Sequence, residues 1–80
     1  MTPEQVVAKV FGVDHSRVTD ETSNKTLEEW DSLGHMTLMI ELEAVYLQAF
    51  SAEEVLRMTT VAAIKRILTE RGVTWSRRAG

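Results

Sequence analysis

The residues best able to do chemistry lie within one short stretch, Trp30-Asp31-Ser32-Leu33-Gly34-His35-Met36. A polar loop ends at the Asp-Ser pair and a long apolar-periodic segment begins directly after it, so Ser32 is expected at a helix N-terminus with its hydroxyl facing water. Three chemistries suit that placement. Asp31 or Ser32 could cap the helix by accepting a backbone N–H, a contribution of about 1 kcal/mol. Ser32 could be a nucleophile with His35 as its base, since residues three apart meet on a helix. No orienting third residue and no oxyanion donors accompany that pair, which leaves hydrolysis poorly supported. Or the hydroxyl could carry a phosphodiester-linked group, stabilised by the free N–H groups and partial positive charge of the helix end.

The elements that would position this stretch follow from spacing. Thr2-Pro3-Glu4-Gln5 has the pattern of a capping box with proline at the first helical position. Val6, Val7, Val10 and Phe11 then share one face, and Gly12 stands where a left-handed terminator is wanted. Residues 13–30 are polar and without period, which predicts a long loop anchored by Val18, Leu27 and Trp30. His15 in that loop has no partner at a recognisable ligand spacing and reads as an exposed histidine, not a metal ligand. A second helix, the longest, should run from Asp31 or Ser32 to about Gln48, with Leu38, Leu42, Val45, Tyr46 and Ala49 as its core stripe. Ser32, Met36 and Ile40 form a separate row at i, i+4 and i+8, expected to be a binding strip. Ser51-Ala52-Glu53-Glu54 opens a short helix through another capping box, and Thr59-Thr60 caps a last one whose apolar face is Val61, Ile64, Ile67 and Leu68. The expectation is an all-α bundle of three main helices plus one short helix, with residues 1–72 as the domain and 73–80 as a flexible tail whose Trp75 could dock back onto the bundle.

Composition narrows the function classes. The chain has 80 residues and no cysteine, so one small domain must hold together by its core alone, and a reducing cytoplasm is the simplest compartment. No secretion signal or membrane-spanning run is evident, which predicts a soluble monomer that does not engage membranes. The net charge of -3 is unevenly spread: ten carboxylates between Asp14 and Glu54 face only Arg17 and Lys25, whereas six cations between Arg57 and Arg78 face only Glu70. An acidic surface around Ser32 disfavours nucleic acid and favours partners with basic patches.

The Trp30-Asp31-Ser32-Leu33-Gly34 stretch resembles the Asp-Ser-Leu attachment motif of acyl carrier proteins and the wider phosphopantetheine-binding carrier family. The likeness covers residues 3–71. It is supported by the Ser51 to Glu54 offset, similar to the start of the family's short third helix, and by Met58-Thr59-Thr60-Val61, similar to its junction into the last helix. The resemblance implies that a phosphopantetheinyl transferase moves the 4'-phosphopantetheine arm of coenzyme A onto Ser32, flanked by Asp31 and Leu33. The arm's thiol would then carry acyl or aminoacyl groups as thioesters from a loading ligase to a downstream transferase or synthase, and the chain itself would catalyse nothing. Partner enzymes would meet Met36, Ile40 and Leu47, together with the carboxylates of Glu41 and Glu43. The chain departs from fatty-acid-synthesis carriers at Gly34, Thr37, Ala44, Val45 and Leu47, where acidic residues are common. That implies a stand-alone carrier of a specialised pathway, with a more apolar partner surface. The alternative from another class is a helical adaptor that binds a partner through the same helix-two row and carries nothing.

Overall fold

The computed structural model describes residues 1–75, and among these it contains four α-helices and no strand: α1 Pro3–Phe11, α2 Ser32–Tyr46, α3 Ala52–Arg57 and α4 Val61–Glu70. A single 3-10 turn at His15–Arg17 interrupts the first loop. None of these helices is long and apolar enough to cross a membrane.

Each helix begins where a side chain can take its orphan amides. Thr2 and Gln5 close a reciprocal capping box on α1, and Ser51 and Glu54 do the same on α3. Helix α1 ends at Gly12, whose φ of 68° is open to glycine without a Cβ penalty. Helix α2 stops at Tyr46, two residues before the expected end, because Leu47 itself adopts the left-handed conformation at φ 55° and turns its N–H back to the Glu43 carbonyl. Ala49 consequently lies beyond the helix and is exposed, so it does not belong to the core stripe predicted for it.

A leucine in the left-handed region carries a steric cost of about 1–2 kcal/mol that glycine does not. Part of the gain from removing it is lost to the greater unfolded-state freedom of glycine. Leu47→Gly should therefore raise the free energy of unfolding by up to about 1 kcal/mol, read as a higher urea midpoint with an unchanged slope.

The core joins Val6, Val7, Ala8 and Phe11 of α1 to Leu38, Met39 and Leu42 of α2 and to Val61, Ile64, Ile67 and Leu68 of α4. Helix α1 is the centre of this arrangement and packs against both α2 and α4. Helix α3 contributes no fully buried residue; Met58, which caps it, does. The long loop enters the core through Val18 and Trp30, with Leu27 only half-buried.

That loop is tied to α4 by its backbone. The carbonyls of Thr22 and Asp20 accept the amides of Val61 and Ala62 at 3.0 Å each, while Thr60 Oγ1 accepts that of Ala63 at 3.0 Å. The unpaired first turn of α4 thus holds the middle of the loop, and a one-residue bridge between Ser23 and Thr60 completes the seam. Lys65 adds an ion bridge, with Nζ 2.5 Å from Glu4 and 2.7 Å from Asp20, so α1, the loop and α4 meet at one cation. Burial works against its charge, but the two carboxylates outweigh burial and raise its pKa.

Past α4 the Val73 amide donates to the Leu68 carbonyl at 2.9 Å, and Trp75 packs edge-on to Tyr46 with ring centroids 6.5 Å apart. Of the expected tail 73–80, Val73 and Trp75 make these contacts with the bundle, and residues 76–80 lie outside the described residues.

Arg71 joins the end of α4 to the start of α3. Its Nε donates to Glu54 at 3.1 Å, Nη2 makes a second bond to the same carboxylate, and the guanidinium lies over the Phe50 ring. The Arg71 bonds and the Ser51 amide hold the Glu54 carboxyl down to about 2 from an ordinary 4.5. A depressed acid pKa stabilises the fold at pH above the unfolded value, and that contribution disappears as pH falls through the folded value. The thermal midpoint of the native chain should therefore exceed that of Glu54→Gln, which keeps the capping box, by a constant margin above about pH 4.5, with the margin closing between 4.5 and 2. Parallel melts of the two proteins across that range check the expectation.

Candidate functional site

The site is built where the long loop turns into α2. Asp31, not Ser32, is the helix cap: its carboxylate accepts the Gly34 amide at 2.8 Å and its carbonyl accepts the His35 amide at 2.7 Å. Ser32 occupies the first helical position and is exposed. Its hydroxyl is thereby released from the cap role, and the amides of Ser32 and Leu33 belong to the first turn, where no intrahelical acceptor reaches. An anion carried by the Ser32 oxygen would sit against those donors and the positive end of a 15-residue helix.

Gly34 is fixed by contact rather than by charge. A Cβ at this position would stand 2.6 Å from the Glu29 carbonyl oxygen and 2.8 Å from the Phe11 ring. Helix propensity alone favours alanine over glycine by about 1 kcal/mol. Collision with a backbone carbonyl and a buried ring reverses the sign, and Gly34→Ala should lower stability by about 1–3 kcal/mol, measured by urea unfolding.

His35 is not available to Ser32 as a base. Its Nδ1 accepts the Trp30 indole N–H at 2.9 Å, and its Nε2 donates to the Val55 carbonyl at 2.8 Å, which together require the neutral Nε2–H tautomer. The imidazole also lies nearly parallel to the Trp30 indole, at 17°. With both nitrogens committed, His35 latches the first turn of α2 to α3, and the serine-histidine arrangement weighed from spacing does not form.

The large apolar side chains of the α2 row are exposed. Met36 is 50% exposed and Ile40 64%, while Leu33 at 78% and Leu47 at 87% extend the strip towards both ends of the helix. Leu56 of α3, 77% exposed and adjacent to the latched Val55, adds a residue that helical spacing within α2 could not have revealed. Large apolar side chains are thus exposed along one face of α2 and on the neighbouring α3.

The carboxylates divide differently from their sequence grouping. Glu43 accepts the Phe50 amide at 2.8 Å and is half-buried, so one oxygen is spent on closing the α2–α3 turn. Glu41 is also half-buried and lies 3.9 Å from Lys9. The exposed acids near Ser32 are instead Glu28, Glu29 and Asp31. Among the described residues no group of three or more His, Asp or Glu side chains could hold a metal ion.

Neither a scan against protein-family models nor a search of curated proteins returns a match to this chain. The functional reading accordingly stands on the geometry and on the motif resemblance.

Proposed function

We propose that the chain is a carrier protein of the phosphopantetheine-binding type, with the 4'-phosphopantetheine arm on Ser32. The observation that carries the reading is the division of labour at the start of α2, where Asp31 caps the helix and leaves the neighbouring Ser32 hydroxyl exposed. The residues fit the group: an exposed hydroxyl beside first-turn amides is a suitable seat for a phosphodiester. When bound, the arm supplies a thiol that a cysteine-free chain lacks. Asp31 keeps the first turn wound, Gly34 lets the loop close over Phe11, and the His35 latch holds α3 beside the attachment point. Arm transfer forms a bond between Ser32 Oγ and the β-phosphorus of coenzyme A and releases 3',5'-ADP. The serine proton passes to a base of the transferase.

The four-helix order and the long first loop agree with an acyl-carrier-like bundle. Tethering raises the effective concentration of the carried acyl or aminoacyl group at each successive enzyme. Leu33, Met36, Ile40, Leu47 and Leu56 would form the apolar part of the docking surface, and Glu28, Glu29 and Asp31 the part that meets basic patches. A soluble cytoplasmic monomer acting with a transferase, a loading ligase and a downstream synthase completes the proposal.

The exposed row, with a leucine held at positive φ, favours one other reading, an adaptor that docks a partner and carries nothing. Incubation of the apo protein with coenzyme A, magnesium and a broad-specificity phosphopantetheinyl transferase separates the two. A mass gain of one arm supports the carrier; an unchanged mass leaves the adaptor.

A further inference from the structure

Helix α3 buries none of its own side chains completely; its firmest apolar hold is Met58, the residue that caps it. Two polar ties on neighbouring residues join it to other helices. Glu54 is held by Arg71 at the end of α4, with Nε at 3.1 Å, and the Val55 carbonyl accepts the His35 Nε2–H at 2.8 Å. His35 follows Ser32 by three residues, so the second tie stands about one helical turn from the attachment hydroxyl.

A group carried on Ser32 could leave water by passing between α2 and α3 at that turn, and His35 lies across the way. Its ring is fixed from two sides, by the Trp30 indole N–H at 2.9 Å on Nδ1 and by α3 on Nε2. One turn further along each helix stand Leu38 and Met58, both fully buried, and Trp30 itself is 1% exposed. On the opposite side of the same turn, Gly34 meets the Phe11 ring and the Glu29 carbonyl so closely that no Cβ fits between them. A hydrocarbon chain entering beside α3 would break both His35 bonds and leave the buried Trp30 N–H without an acceptor. It has no polar atoms with which to replace them.

We propose that the His35 latch keeps the carried group outside the bundle, and that the cargo is a short or polar acyl or aminoacyl group, not a long hydrocarbon chain. The inference rests on the carrier reading and names the substrate class for it. A polar group loses by burial unless every hydrogen bond is replaced, so a closed latch costs such cargo nothing. A long chain has most to gain from apolar cover, and the latch withholds it. His35 thereby acts as a specificity-determining residue without touching the thioester.

Methyl-labelled chain loaded by the broad-specificity transferase from acetyl-coenzyme A or octanoyl-coenzyme A tests the inference, with His35→Ala prepared in parallel. Expected are equal Leu38, Leu42 and Met58 methyl shifts in the acetyl and octanoyl forms of the native protein, and displaced shifts at these residues in the octanoyl form of His35→Ala alone. Octanoyl-dependent displacement of those methyls in the native protein overturns the exclusion of long chains and leaves the carrier reading standing. Unchanged methyls in octanoyl His35→Ala overturn the assignment of the latch to His35. His35→Phe, which keeps an aromatic ring and neither bond, makes the same comparison if His35→Ala does not fold. No mass gain from either acyl-coenzyme A overturns the carrier reading itself.

Discussion

Ser32→Ala should abolish addition of the arm while leaving the fold intact. The variant's mass should stay unchanged under conditions in which the native chain gains one phosphopantetheine, and its thermal midpoint should stay within the range of a neutral surface substitution, about 0.5 kcal/mol. The second half of that expectation is specific to this structure. Were Ser32 the helix cap, its removal would cost about 1 kcal/mol. Because Asp31 accepts the Gly34 amide instead, the cost should move to Asp31→Ala. A stable Ser32→Ala protein that still takes up the arm would end the carrier proposal at this residue. One that loses stability by the amount of a cap would show that the hydroxyl is engaged and not free.

The second large effect concerns Trp30. This side chain is 1% exposed, stacks against Phe11 with centroids 5.6 Å apart, and donates its indole N–H to His35. Truncation of a buried tryptophan costs about 3–5 kcal/mol in general. A chain of 80 residues has roughly 4–12 kcal/mol in total, so Trp30→Ala should remove at least about a quarter of the domain's stability. Urea denaturation followed by far-ultraviolet circular dichroism measures the loss. The damage should extend beyond the cavity, because His35 Nδ1 loses the donor that fixes its tautomer and ring orientation for the latch to Val55. His35→Phe separates these contributions: it keeps an aromatic ring but breaks both hydrogen bonds and leaves the Trp30 indole without its acceptor, which should cost about 1–3 kcal/mol. A native-like stability for Trp30→Ala would mean that the loop is anchored chiefly by its backbone bonds to α4.

Taken together, these residues give the motif a layered construction. The exposed serine is supported by a cap made by its neighbour. The cap is held close by a glycine that admits the loop, and the loop is held by a tryptophan in the core. Chemistry at the surface therefore depends on contacts up to one layer down, and substitutions at Gly34 or Trp30 should impair arm transfer through misplacement of Ser32 rather than through any contact with a partner.

Local rules were enough for most of the helix boundaries. Caps act within three or four residues of themselves, so Thr2, Gly12, Ser51 and Thr60 could be assigned from spacing, and the structure places helix ends at each. The apolar faces of α1 and α4 were likewise legible, since each is one-sided: Val61, Ile64, Ile67 and Leu68 are all buried. The exposure of Ser32, Met36 and Ile40 followed from the same periodicity.

Helix α2 is where local reasoning ended. Leu38, Met39 and Ile40 are consecutive and apolar, so they sweep more than half the helix circumference; spacing put Leu38 in the core stripe and Ile40 on the separate row but did not say which way Met39 faces. Packing against α1 decided it, burying Leu38 and Met39 and leaving Ile40 in water. Met39 was therefore missing from the sequence-based stripe, and Ala49 was wrongly included because the left-handed turn at Leu47 ends the helix first. Spacing left both Asp31 and Ser32 as candidates for the cap, and the bond from the Gly34 amide to the Asp31 carboxylate decided between them. Tertiary structure turned His35 from a possible base into a latch, because its partner Val55 lies twenty positions away. And it explained Gly34, whose missing side chain is required by a carbonyl and a ring that approach from the loop and from α1. What the amino-acid sequence by itself determined was where a serine would stand exposed at a helix end. The His35 latch and the close packing at Gly34 that hold this helix end arise from contacts between segments that no local pattern encodes.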